Sequence, residues 1–261
     1  MKHSLKNQWV LITGASSGFG AAAAQAFAAE GAKLLLGARR ADRLRRVTAA
    51  AKKAGAAAAH WHELDVTQTA SVAAFIAWAK GRMQAQPLQV LINNAGGAPG
   101  MDNVADAKDA DWEITVQTNV LGLLRMTRAA LPLLARDAGA SILNLGSLAG
   151  RTAYGGGAAY CAAKAGELAI TRALRHELIG TGIRVATIDP GLAETEFSLV
   201  RFKGDAKKAD AVYAGMNPLV AEDIADILLW VATRPPHVNI DELLVKPTDQ
   251  VEMGKVFRRP V

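Results

Sequence analysis

The sequence predicts an α/β protein built on one doubly wound parallel sheet of about seven strands, with helices on both faces and a small lid insertion. Three observations carry that expectation. Short apolar runs alternate with longer segments of helical period, the order that parallel pairing through right-handed crossovers requires. The first runs are apolar at every position rather than at alternate ones, as strands covered on both sides must be. A glycine cluster follows the first run and opens the first helix, at the end of the sheet where such folds bind ligands.

In chain order, the strand candidates are 8–13 (QWVLIT), 33–37 (KLLLG), 57–63, 88–92 (LQVLI), 140–145 (ASILNL), 183–188 (IRVATI) and a weaker 240–246 (IDELLVK). Helical patterns fill 18–31, 41–55, 68–85, 105–136, 157–180 and 221–233. The alanine-rich AAKKAGAAAA at 50–59 carries lysines and a glycine that suit a helix end leading into a strand. Residues 192–220 are long, charged and interrupted by Gly204, Gly215 and Pro218, which suits a substrate lid. No linker or repeat divides the chain, so 1–261 is expected to be one domain.

Composition removes other classes. Apolar residues make up 51% of the chain, enough for a large core without staples. The single cysteine, Cys161, forms no internal disulfide and fits a reducing, cytoplasmic setting. The N-terminus shows neither an uninterrupted apolar core nor a cleavage site, so no signal peptide is expected. No stretch approaches the ~18 unbroken apolar residues of a membrane span; the longest candidate, 21–38, contains Gln25, Glu30 and Lys33. The formal charge is +6, but apart from ARRADRLRR at 38–46 the basic residues are scattered. No zinc-finger spacing or aromatic–basic motif accompanies them, which argues against nucleic acid as a partner.

The stretch VLITGASSGFG at 10–20 reads as a nucleotide cradle. Gly14 permits a tight turn, Gly18 a close approach of backbone to ligand, and Gly20 close packing of helix on sheet. Ser16 and Ser17 can cap the helix, whose N–H groups and positive dipole end suit a pyrophosphate. At the end of the second strand, Ala38 stands where an acid would meet a ribose 2′-hydroxyl, and Arg39 and Arg40 follow. Forked guanidinium groups suit a 2′-phosphate, so NADP(H) is expected over NAD(H). The competing reading is a solvated helix start continuing through Arg43, Arg45 and Arg46. Asp65 is placed to meet the adenine amino group or to cap the next helix.

Tyr160 and Lys164 lie four apart in GGGAAYCAAK and share a helix face. A phenol with a pKa near ~10 is a poor base at neutral pH. An adjacent ammonium stabilises the phenolate and makes it a usable proton donor or acceptor. Ala158, Ala159, Cys161, Ala162 and Ala163 leave room for cofactor and substrate. Ser147 stands thirteen residues before Tyr160, just beyond the fifth strand. LINNAG at 91–96, TNVLG around Asn119 and IDPGLAET at 188–195 bring more polar groups to the same end of the sheet.

The ordered set TGASSGFG, NNAG, Asn119, Ser147, Tyr160-x-x-x-Lys164 and Pro190-Gly191 resembles the short-chain dehydrogenase/reductase family over nearly the whole chain. The resemblance implies a single Rossmann-type domain, a nicotinamide cofactor and a homotetramer or dimer. It implies Tyr160 as proton donor or acceptor, with Ser147 holding the substrate oxygen and steadying the oxyanion. Lys164 would bind the nicotinamide ribose and lower the tyrosine pKa, and Asn119 would hold a relay water. Asn93, Ala95 and Gly96 would line the cofactor channel and Thr195 would reach the carboxamide. Phe19, Val66, Pro190, Gly191 and Leu192 complete the implied cofactor set. No motif position departs from the pattern in a way that suggests lost activity.

In the C-terminal third, GLAETEFSLVRFKGDAKKADAVY and RPPHVNIDELLVKPTDQ resemble the NADP-dependent 3-hydroxy acid dehydrogenase branch, which acts on serine, allo-threonine or malonic semialdehyde. A small carboxylate needs a cation. Arg201, set among Phe197, Leu199, Val200 and Phe202, is the candidate; the alternative is an exposed arginine on an amphipathic turn. His176, Trp9, Trp61, Trp78, Trp112 and Trp230 lie away from the motif-bearing ends and read as packing or surface groups. A general carbonyl or acyl-carrier ketoreductase is the rival enzyme. A non-catalytic NADP(H)-sensing regulator is the rival from another class.

Overall fold

The computed structural model describes residues 3–260. Seven parallel strands form one sheet in the order β3-β2-β1-β4-β5-β6-β7. They are β1 Trp9–Thr13, β2 Lys33–Ala38, β3 Ala58–Glu63, β4 Leu88–Asn93, β5 Ser141–Leu145, β6 Arg184–Pro190 and β7 Glu242–Val245. All seven expected strands are present. Their alternate residues feed two cores. Val10, Ile12, Leu34 and Leu36 pack beneath α1 (Gly18–Ala29), α2 (Ala41–Ala54) and α9 (Ala221–Ala232). Trp9, Leu11 and Leu35 pack on the opposite side, with α3 (Thr69–Met83). Strands with fully buried residues on both faces are what the unbroken apolar runs required.

The order of strands reverses between β1 and β4, so the loops after these two strands part and open a crevice. Thr13 closes its floor: its Oγ1 accepts from the backbone N–H of Asn94 (3.0 Å) and of Ala95 (2.9 Å). Gly14 has a left-handed φ of +64°, and a Cβ there would stand 2.9 Å from the Ala95 Cα. Only glycine satisfies both the turn and the contact.

The expected helix 105–136 is broken into pieces. After α4 (Asp109–Val116) comes a π-helical turn, Gln117–Leu121, then α5 (Gly122–Ala130) and a short 3-10 turn at Leu131–Leu133. The cause is Asn119. Its Nδ2 donates to the Thr115 carbonyl four residues back (2.7 Å), and the Gly122 N–H reaches the Gln117 carbonyl instead of the next one. Such π-turns concentrate at functional sites.

The long α6 spans Ala158–Glu177. The segment expected to form a lid contains α7 (Glu196–Arg201), capped by Thr195, and α8 (Ala206–Ala211), capped by Asp205. Its ends are tied together, Leu219 N–H to Leu192 O (3.0 Å) and Glu194 N–H to Leu219 O (2.8 Å). A hairpin of β8 (Gln250–Glu252) and β9 (Lys255–Val256) was not expected. The tail after it lies on that segment, with Arg259 N–H donating to Gly215 O (2.6 Å). No helix among the described residues is long and apolar enough to cross a membrane.

Candidate active site

A groove of about 830 Å³ runs along the carboxyl ends of the strands. Gly14, Ser16, Ser17, Gly18 and Phe19 form one wall, with Arg39, Arg40, Asp65 and Val66 at one end. Ala95, Gly96, Ser147, Tyr160 and Lys164 line its other part, facing Pro190, Gly191, Leu192, Thr195 and Arg201. Residues far apart in sequence meet here because the crossovers deliver every strand end to one edge.

Three expected residues lie off the groove surface. Asn93 is the last residue of β4 and points beneath the sheet, donating from Nδ2 to Thr127 Oγ1 (2.9 Å) and Asn144 Oδ1 (2.9 Å). Its neighbour Asn94 lines the groove instead, with Nδ2 donating to Thr13 O (2.9 Å) and so stapling the glycine loop. Gly20 is buried: a Cβ there would stand 2.6 Å from the Gly14 carbonyl, so its role is packing. Asn119 is buried behind Gly96 and Gly97, donating from Nδ2 to Gly97 O (2.7 Å) and accepting at Oδ1 from Gly97 N–H (3.3 Å).

Ser16 and Ser17 do not cap α1, whose N-cap Ser17 makes no side-chain cap bond. Both hydroxyls are drawn sideways by Arg40, which donates from Nη2 to Ser17 Oγ (2.6 Å) and Ser16 Oγ (3.0 Å). The first N–H groups of α1 are therefore left without a side-chain partner at the groove wall, as an anion site requires. Arg40 Nη1 also donates to Glu196 Oε2 (3.0 Å), and Arg43 Nη1 pairs with Glu196 Oε1. Arg43, and Arg40 with it, hold the Glu196 carboxyl below the usual carboxylate range. Arg39 is exposed at the groove rim. Asp65 accepts from the Thr67 N–H (2.9 Å) and hydroxyl (2.7 Å), bracing the turn before α3.

At the other end, Ser147 sits at the head of a 3-10 turn (Leu148–Gly150), its Oγ accepting from Ala149 N–H (3.1 Å). The Lys164 ammonium lies 5.9 Å from the Tyr160 ring centre. Lys164 is buried; its Nζ donates to Leu145 O (2.6 Å) and to Glu167 Oε2 (2.6 Å). Glu167 was not singled out from sequence.

Arg201 is buried with 6% of its surface exposed, which removes the reading of an exposed turn. Its guanidinium carbon lies 5.3 Å from the Tyr154 ring centre, 5.4 Å from Tyr160 and 5.9 Å from Phe197. Its polar contacts are a long one, 3.5 Å to Gly156 O, and the Tyr154 phenol, and it enters no ion pair among the described residues. Burial pushes the Tyr154 phenol up to about 12, against the pull of Arg201. Tyr213, also on the groove, is raised by burial; its hydroxyl donates to Ala193 O (2.8 Å). Trp112 departs from its expected place: with Tyr160 and Arg201 it lines a small side cavity. Trp9 is a core residue, and Trp230 is exposed beneath Arg234.

The groove thus offers a phosphate-sized donor set at one end and, at the other, a phenol and an ammonium beside a buried guanidinium. The donor set fits a dinucleotide carrying an additional phosphate. The sequence profile described as short chain dehydrogenase matches residues 8–205. An NADP-dependent 3-hydroxy acid dehydrogenase of Schizosaccharomyces pombe is 41% identical over 261 residues, covering 98% of each chain. Sulfoacetaldehyde reductase 2 of Chromohalobacter salexigens is 44% identical over 242 residues, covering 92% of this chain and 94% of that protein. The structure of the closed form of serine dehydrogenase complexed with NADP+ superposes with a TM-score of 0.84 at 37% identity, covering 97% of this chain and all of that one.

Proposed function

The chain belongs to the short-chain dehydrogenase/reductase family, and on that premise we propose that it interconverts the hydroxyl and carbonyl groups of a small 3-hydroxy acid using NADP(H). The cofactor, when bound, accepts or delivers the hydride. Arg39 and Arg40 would hold its 2′-phosphate and the start of α1 its pyrophosphate. Asp65 and Val66 would face the adenine end, and Pro190, Gly191, Leu192 and Thr195 the nicotinamide end.

The protein's own work is position and proton transfer. Ser147 Oγ donates to the substrate oxygen. In oxidation Tyr160 Oη takes the hydroxyl proton of the substrate; in reduction it returns a proton to the carbonyl oxygen. Lys164 supplies a positive field beside the phenol, and Asn119 fixes the loop against which it works. The segment 192–220 closes the substrate end.

The observation that carries the substrate class is the burial of Arg201 against the Tyr160 ring without a carboxylate partner. A buried cation with no partner is costly, and a bound carboxylate relieves that cost one ring's width from the acid/base group. A sulfonate makes the same demand, and the likeness to a sulfoacetaldehyde reductase favours that second reading.

The test follows NADPH absorbance across a panel. Serine, allo-threonine and 3-hydroxypropionate are offered with NADP+; malonic semialdehyde and sulfoacetaldehyde with NADPH. Turnover of at least one anionic substrate is expected, with NAD(H) much weaker. Turnover of acetoacetyl thioesters alone rejects the substrate class and favours the ketoreductase. NADP(H) binding without any turnover favours the regulator.

A further inference from the structure

Resting on that reading, we propose that Glu167 is a positioning residue of the reaction: its buried carboxyl group anchors the Lys164 ammonium and, by gaining or losing a proton, sets how much positive charge stands behind Tyr160. Tyr160, Lys164 and Glu167 fall at i, i+4 and i+7 of α6 and form one stripe along the helix. The stripe runs inward from the groove. Glu167 is 2% exposed, and its Oε2 lies 2.6 Å from Lys164 Nζ.

Stability does not account for a carboxylate in that place. A buried ion pair is commonly matched or bettered by apolar groups of equal volume, because desolvation consumes the Coulombic gain. Lys164 also has the Leu145 carbonyl as an acceptor. What the carboxyl adds is a charge that can be switched.

The groups around it determine when it switches. On α6 it faces Lys164, which in turn faces Tyr160. From β6 it faces Asp189, which disfavours a second negative charge. Asp189 is itself held by Thr187 Oγ1 (2.6 Å) and by Arg151 Nε (2.7 Å), and Arg151 reaches on to Glu242 of β7. The π-turn, QTNVL, brings no titratable group, while α4 turns Asp111 to Lys203 (2.6 Å). Burial pushes the Glu167 carboxyl up to about 7, with Lys164 opposing. Burial pulls Lys164 down, but Glu167, Tyr160 and Asp189 together outweigh it and the ammonium is held above its usual range.

The Leu145 carbonyl goes on accepting from the ammonium when the carboxyl changes charge. Protonated, Glu167 leaves the ammonium uncompensated and Tyr160 feels all of it. Ionised, it cancels much of that charge. Rising pH thus weakens the pull on Tyr160, which spreads the acid/base function over a wider pH range.

Glu167→Gln removes the switch and keeps a hydrogen-bonding side chain. The readout is the near-ultraviolet absorbance of phenolate during a pH titration, with NADP+ bound and without it. The chain has three tyrosines; burial pushes Tyr154 and Tyr213 up, and Tyr160→Phe identifies the remaining one. In Glu167→Gln the Tyr160 phenolate is expected at a pH lower by about one unit, the order Coulomb's law gives for one charge removed two contacts away at an effective dielectric near 20. The acid limb of kcat for NADP+-dependent oxidation should move the same way. If the glutamine variant does not fold, Glu167→Asp, which draws the carboxylate back from Nζ, should shift the phenolate in the same direction by less. A phenolate titration that is unchanged, or moves to higher pH, overturns the proposal. The two readings fail separately: absence of turnover rejects the function while the titration still judges Glu167, and turnover with an unshifted phenolate rejects only Glu167.

Discussion

Replacing Arg201 with methionine separates a substrate-binding arginine from a structural one. Two costs oppose each other in the folded protein. The buried guanidinium has given up water, and no carboxylate compensates it. Against this stand three aromatic rings within 6 Å of its carbon, each worth roughly 0.5–2 kcal/mol in cation–π attraction. Methionine regains part of that through sulfur–ring contacts of about 0.3–1.5 kcal/mol, and it removes the desolvation penalty altogether. The balance leaves stability within about 1 kcal/mol of the parent. For a chain of this length that is a change in Tm of about 2–4 °C.

Binding of an anionic substrate has no such balance. Truncating one partner of a buried, hydrogen-bonded charge pair costs about 2–5 kcal/mol. The middle of that range raises KM for the acid by roughly 100- to 1000-fold at 1.4 kcal/mol per decade. A neutral aldehyde of similar size loses nothing at this contact. The assay is steady-state kinetics on 3-hydroxypropionate or malonic semialdehyde beside a neutral aldehyde, with a thermal melt of each variant. An unchanged KM for the acid, or a large fall in Tm with charged and neutral substrates lost together, refutes the reasoning: the arginine would then be holding the fold.

Three further outcomes are expected. Glu196→Gln frees Arg40 and Arg43 from a carboxylate that competes with a 2′-phosphate, so NADP+ should bind about 3–10-fold tighter by titration calorimetry while NAD+ is unchanged; the same change in both cofactors would contradict this. Arg172 and Arg151 hold the Glu242 carboxyl down to about 2. Its folded value lies below its unfolded one, so its contribution is present above the ordinary glutamate range and fades as pH falls toward about 2. Glu242→Gln should therefore flatten the acid side of a Tm-against-pH curve, and parallel curves would count against the network. Gly96→Ala would put a methyl 2.7 Å from Asn119 Oδ1 and 3.7 Å from Lys164 Nζ; kcat should fall by about tenfold or more as both groups shift, with little change in the melt.

The central strands were legible because burial on both faces leaves an unmistakable trace, an apolar run that does not alternate. The parity of a strand's last residue leaves none. Asn93 and Asn94 are chemically identical, and only the residue at which β4 ends decides which of them turns into the groove and which goes under the sheet to Thr127. Helical period likewise reports a stripe of apolar residues without reporting which carbonyl each N–H takes. The break at Gln117–Leu121 is such a choice, made when the Asn119 amide claims the Thr115 carbonyl while also holding Gly97 from behind the groove wall.

Glu167 is the sharper case, because its spacing from Tyr160 and Lys164 stood in plain view. A glutamate on an alanine-rich helix is ordinarily a solvated one, and nothing in α6 itself says otherwise. Its burial comes from outside the helix. Lys164 must lie inward to face the groove, and the Leu145 carbonyl at the end of β5 draws its ammonium further in. A glutamate three residues on then follows that ammonium beneath the surface rather than away from it. Sequence spacing therefore identifies which side chains share a face, while the neighbouring strand end decides whether that face is wet. For a charged pair beside a phenol, that decision fixes whether the carboxylate is a solvated bystander or stands buried behind the ammonium, as Glu167 does.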